Sequence, residues 1–263
     1  MDLLDIPMCL KRRANRLVMS TQALILLCIA ACFVGISKTG VPNLGTLVAA
    51  GLAITFPAKA SIGLLLPMLI TADIVAVLVY RESVMWKQLV SLIPWVLSGI
   101  VLGYVILGIV DNEQLSMIIG VVVLVLLLVH LIKRPLENKL QVTWFQSPVF
   151  HAILGGLAGF TTMVGNAAGG IMAIYFLSKG FDKKAFIATG AWFFLSVNLI
   201  KVPFYINLGV ITRDSLLLNM SMIPIILLGT YVGVKLLKVI PERIFQYIVL
   251  SLAAVGGVWL LVG

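Results

Sequence analysis

The sequence predicts an all-α integral membrane protein made of two homologous halves, each a glycine-broken helix pair followed by three long transmembrane helices. Three observations predict it: the composition, a succession of apolar runs, and a match of the chain to itself. Of 263 residues, 61% are hydrophobic and 11% charged, and the mean hydropathy is +1.14. A soluble domain of this size needs a more polar surface, whereas a membrane domain has lipid as its solvent.

The apolar runs fall at about 21–37, 41–56, 60–80, 88–109 and 115–132, then at about 147–163, 167–178, 185–205, 214–236 and 244–262. About 20 apolar residues cross the hydrocarbon as a helix. The last three runs of each set approach that length. The first two of each set are shorter and are separated by Gly or Pro. A polar stretch, 133–146, divides the sets. The organisation is therefore a basic tail (1–20), a first repeat (21–132), a cytoplasmic linker (133–146) and a second repeat (147–263). The tail holds Lys11, Arg12, Arg13 and Arg16 and shows no small-x-small cleavage signal, so it is expected to stay attached.

The repeats align by residue type. At an offset of 125, Gly40 meets Gly165, Gly45 meets Gly170, Lys59-Ala60 meets Lys184-Ala185, Asp73 meets Asn198 and Tyr80 meets Tyr205. At an offset of 130, Pro94 meets Pro224, Gly99 meets Gly229 and Gly103 meets Gly233. Matched Gly, Pro and Lys positions are the signature of duplication, and paired halves are common in transporters. If each broken pair enters and returns, each half crosses an odd number of times and the halves are inverted.

Charge placement orients this arrangement. The net charge of +9 lies mostly in short gaps between apolar runs, which fits loops facing anionic lipid and not nucleic acid. Gaps with Arg81/Lys87, Lys133/Arg134/Lys139, Lys179/Lys183/Lys184 and Lys235/Lys238/Arg243 fall on one side, expected to be cytoplasmic. Lys59, Arg213 and the acidic 111–113 gap fall on the other. This topology places the basic tail outside, in conflict with its charge.

The breaks carry the functional expectation. One reads Gly35-Ile-Ser-Lys-Thr-Gly-Val-Pro-Asn-Leu-Gly45, the other Gly159-Phe-Thr-Thr-Met-Val-Gly-Asn-Ala-Ala-Gly-Gly170. Interrupted helices leave backbone N–H and C=O groups unpaired, which belong inside protein or beside a watery cavity. A helix restarting after a break aims free N–H groups and a positive dipole end at that space. The expected substrate-binding residues are Lys38, Thr39, Gly40, Asn43, Thr161, Thr162, Gly165, Asn166 and Gly169 at the breaks, with Ser196, Asn198 and Lys201 on a long span. Charges within a span are costly and usually face a cavity or a partner. Lys38 and Lys201 would favour an anion. Asp73 is expected either to pair with one of them or to carry a coupling proton. The competing readings are close helix packing for the glycines, interfacial snorkelling for Lys201 and back-bonding for Ser196 and Thr71. The first break is not a phosphate loop, because Lys38 lies inside the glycine run.

Gly99-xxx-Gly103 and Gly229-xxx-Gly233 are small-residue surfaces for helix contact, within the fold or at a homodimer seam. Cys28 and Cys32 read as apolar helix residues. His130 and His151 read as membrane-surface residues. No metal, cofactor or catalytic set is expected.

With these residues the chain resembles the TauE/SafE family of sulfite and organosulfonate exporters over about 21–262. The likeness rests on the two Gly-rich breaks, the Lys-Ala pair opening the next helix, Asn198-x-x-Lys201-x-Pro203, and Pro241-Glu-Arg243. It implies alternating-access transport of a small sulfur-containing or carboxylate anion across a bacterial inner membrane. A membrane scaffold and an intramembrane enzyme are the alternatives.

Overall fold

The computed structural model describes residues 21–56, 58–107, 121, 124, 128 and 147–262. The basic tail, the 111–113 gap, nearly all of the 115–132 run with His130, and the 133–146 linker lie outside the described residues. Among the described residues all regular structure is helical. The α-helices are α1 (Thr21–Thr39), α2 (Leu44–Thr55), α3 (Ala58–Tyr80), α4 (Trp86–Leu107), α5 (Pro148–Gly165), α6 (Gly169–Ser178), α7 (Lys183–Asn207), α8 (Arg213–Val239) and α9 (Glu242–Val262). A 3₁₀ turn at Arg81–Ser83 links α3 to α4.

Both breaks fall within the segments where Gly and Pro are expected to interrupt the helical ladder. After α1, Gly40 and Val41 both donate to the Ile36 carbonyl, and Asn43 turns the chain at φ 72°. After α5, Asn166 at φ 54° donates to Thr162 and Ala167 to Thr161. Asparagine is one of the few side chains that tolerates this left-handed region. One expectation changes here. The first helix of each broken pair is not short, since α1 has 19 residues and α5 has 18. At 1.5 Å per residue they reach about 27–28 Å, close to the hydrocarbon thickness. Among the described α-helices α2 and α6, with 12 and 10 residues, are too short to span. Among the described residues six helices (α1, α3, α4, α5, α7 and α8) are long and apolar enough to cross a membrane.

Packing exchanges elements between the two sets of helices. α1 lies against α8, and α4 lies against α5. Glycines set both seams. A Cβ on Gly35 would meet the Ile226 carbonyl oxygen, and one on Gly229 the Cys32 oxygen. At the other seam Gly159 faces the Val96 oxygen and Gly99 the Gly156 oxygen. The contacts recur in register: Gly156 minus Cys32 is 124, and Gly229 minus Gly99 is 130. The Gly-xxx-Gly surfaces are therefore occupied inside the fold and are not free for a dimer seam. Cys28 and Cys32 are free thiols.

Helix directions follow from the same contacts. Along α1 and α8, Cys32 meets Gly229 and Gly40 meets Gly233, so the two run in the same sense. Along α3 and α7, Gly63 meets Val210, just past the end of α7, and Asp73 meets Asn198, so these run oppositely. The described basic gaps also converge. The Lys183 Nζ donates to the Leu237 and Ile240 carbonyls, and Met85 N donates to Thr189 Oγ1. The outer faces of these helices expose apolar side chains such as Leu78, Met220 and Leu228, as a lipid-facing surface requires.

Candidate functional site

Where α3 crosses α7, a polar cluster interrupts the apolar core. Asp73 is fully buried. Lys38 from the end of α1 places its Nζ 2.9 Å and 3.1 Å from the two Asp73 carboxylate oxygens. Asn198 donates to Asp73 Oδ2 at 2.9 Å. The Lys38 ammonium also sits 4.0 Å from the Phe194 ring centroid, so an aromatic face and a carboxylate share its charge. Burial of this carboxylate is tolerable because Lys38 balances its charge and Oδ2 accepts from both Lys38 and Asn198.

Lys201 does something different. It is fully buried, and its Nζ donates to the Thr162 carbonyl at 3.0 Å, to Thr162 Oγ1 at 3.2 Å and to Asn166 Oδ1. A cation on α7 thus holds the carbonyl end of α5 and the turn after it, as a positive charge at a helix C-terminus should. Tyr205, one turn further along α7, donates to the Met163 carbonyl at 2.8 Å. Tyr80 makes the matching bond to the Thr39 carbonyl, also at 2.8 Å. The tyrosines are 125 apart but the carbonyls 124 apart (163 minus 39), so the breaks correspond with a one-residue shift from the Gly40–Gly165 match.

One cavity, of about 60 Å³, touches both interruptions. At about 10–15 Å³ per water that is room for about four to six waters. Ser37, Lys38, Pro42, Asn43 and Gly45 line it from the first break, and Thr162, Asn166 and Gly169 from the second. Asn198, Phe194 and Gly190 close it from α7. Neither short helix has a side-chain cap from its own N-cap residue, Asn43 for α2 and Ala168 for α6. Ser37 Oγ accepts from the Gly45 amide at 2.9 Å and ties the first break together. Among the residues lining the cavity, two amide atoms remain buried without a hydrogen-bond partner, Asn43 Oδ1 and Asn166 Nδ2. Their other ends are occupied: Asn43 Nδ2 donates to the Val249 carbonyl at 3.0 Å, and Asn166 Oδ1 accepts from Lys201.

The sequence-predicted residues therefore separate. Lys38, Asn43, Thr162, Asn166, Gly169 and Asn198 line the cavity. Thr39, Gly40, Thr161, Gly165, Ser196 and Lys201 do not. Thr39 Oγ1 donates to the Gly35 and Thr230 carbonyls, and Gly40 admits the Gly233 backbone. Both belong to the α1–α8 seam. Thr161 bonds back to Leu157, and Thr71 to Pro67, the local pattern open to any helical threonine. Ser37 and Phe194 were not anticipated. Phe194 could have been found one helical turn before Asn198, on the same face. His151 is held by the Ser147 carbonyl at the start of α5.

Long apolar helices around a buried, charged cavity, with two helices interrupted beside it, define a multi-pass membrane transport protein. A family model described as "Sulfite exporter TauE/SafE" matches residues 27–260, and the chain belongs to that family. No curated protein and no solved structure matches the chain.

Proposed function

We propose that this protein is a secondary transporter that moves a small oxyanion, such as sulfite or an organosulfonate, across a bacterial inner membrane by alternating access. The observation that carries the reading is that one and the same cavity is bordered by both interruptions. Beside it Lys38 pairs with Asp73 while Lys201 stands behind Thr162 and Asn166, and the three groups carry a formal net charge of +1 that a singly charged anion neutralises. Buried charge without balance is expensive, and the amide groups opening α2 and α6 add positive potential of the same sign.

Alternating access follows from the exchanged packing. Residues 21–132 and 147–263 form inverted repeats joined by the 133–146 linker, and each contributes its broken helix to a seam with the other. Support comes from the parallel course of α1 and α8 and the opposed course of α3 and α7. Rocking one half against the other would expose the cavity alternately to each side. The converging gaps with Lys183 and Lys238 are the cytoplasmic end. Asp73 is the candidate for ion coupling, because it is the carboxylate that holds Lys38.

The test is flux in proteoliposomes with a panel of anions, with and without a pH gradient. Sulfite or a sulfonate should move at rates well above protein-free vesicles. Lys201→Ala, inserted normally, should slow it severely. Equal flux by the variant and the parent would refute the assignment. A scaffold would show no anion-dependent thermal stabilisation.

A further inference from the structure

The two breaks leave opposite hydrogen-bonding capacity unmet on residues that line their cavity. At the second, Lys201 occupies Asn166 Oδ1, which fixes the amide orientation and leaves Nδ2, a donor, without a partner. At the first, the Val249 carbonyl occupies Asn43 Nδ2, which leaves Oδ1, an acceptor, without a partner. Asn43 is 5% exposed, so bulk water does not satisfy it. An unmatched buried donor or acceptor is destabilising until a ligand or ordered water meets it.

We propose that Asn166 and Asn43 determine specificity, and that the cavity selects a singly charged oxyanion that carries its own O–H or N–H group. The Asn166 amide donates to an anion oxygen, and the Asn43 carbonyl oxygen accepts from the substrate's donor. Lys201 is a positioning residue: it acts on the substrate through Asn166, whose amide it orients, and does not line the cavity itself. The proposal rests on the reading of this cavity as the substrate site and adds the class of anion it prefers.

A matched pair of probes tests it: 2-hydroxyethanesulfonate and ethanesulfonate, equal in charge and different by one hydroxyl. Ligand-dependent thermal stabilisation of the full-length protein measures binding. The hydroxylated probe should bind at least about tenfold more tightly, because a site built for a hydroxyl strands its partner when the hydroxyl is missing. In Asn43→Gly, which suits the left-handed backbone there, the ratio should fall to about one. Asn43→Asp retains an acceptor oxygen and should keep the preference. Asn166→Asp keeps an oxygen for Lys201 but replaces the donors with charge, so both probes should weaken about tenfold or more. A purely structural Asn166 predicts unchanged binding in that variant.

Equal binding of the two probes by the unmodified protein overturns the inference, and that comparison needs no variant to fold. So does a preference that survives Asn43→Gly. The two levels separate cleanly. If sulfite binds and is transported while the sulfonate pair is not discriminated, only the selectivity inference fails. If no anion stabilises the protein or is moved, the substrate reading of the cavity fails with it.

Discussion

Gly159 and Gly156 lie one turn apart on α5, and the structure assigns them opposite sensitivities. A Cβ built on Gly159 would stand 2.0 Å from the Val96 carbonyl oxygen and 2.8 Å from its carbon. Ordinary contact begins near 3.4 Å, so α4 and α5 would have to separate by 1.4 Å, the difference between 3.4 Å and 2.0 Å. The obstacle is backbone, so no rotamer change relieves it. Overpacking of this kind costs about 1–3 kcal/mol where side chains can yield, and a backbone clash belongs at or above the upper end. At roughly 2–4 °C per kcal/mol for a chain of this size, Gly159→Ala should lower the melting temperature by about 6–12 °C. Gly156→Ala places its methyl 3.9 Å from the Trp95 oxygen and should melt within about 2 °C of the parent. Detergent-solubilised variants compared by thermal unfolding and size-exclusion chromatography provide the assay. Equal melting temperatures would refute the α4–α5 register and, with it, the exchanged packing that the transport reading depends on.

Other outcomes follow from the polar contacts. Asp73→Asn should remove the response of anion flux to an imposed pH gradient while leaving the protein folded, because Asn can still accept from Lys38; flux that keeps its full gradient dependence would remove Asp73 from coupling. Tyr80→Phe and Tyr205→Phe each strand a break carbonyl and should cost about 1 kcal/mol, read as a few degrees of melting temperature; a change in one alone would contradict their equivalence. Lys183→Met should loosen the α8–α9 corner, read as faster proteolysis near Ile240, because it frees the Leu237 and Ile240 carbonyls.

The class of fold was legible in composition and in run lengths because lipid imposes them directly: hydrocarbon thickness sets helix length, and unpaired backbone confines Gly- and Pro-rich breaks to the interior. The boundaries of the broken helices were equally local, since Asn43 opens α2 and Asn166 closes α5 in left-handed backbone that asparagine tolerates. The family resemblance was legible for the same reason, as an ordered series of such local features. Lys201 announced itself as a charge deep within a span, but its sequence position could not say that it holds the turn at Asn166 rather than the cavity. Nor could the Gly-xxx-Gly spacing say which helix fills it.

What the chain alone determined is therefore the set of elements, the interruptions and the identity of the costly buried charges. The tertiary structure decided their partners: Lys38 with Asp73, Asn43 with Val249, α1 with α8. The reason is physical. Helix breaks and hydropathy depend on residues within a turn or two, whereas these pairings join positions 35 to 206 residues apart and exist only once backbone-to-backbone packing at the glycine seams has fixed the helices in register.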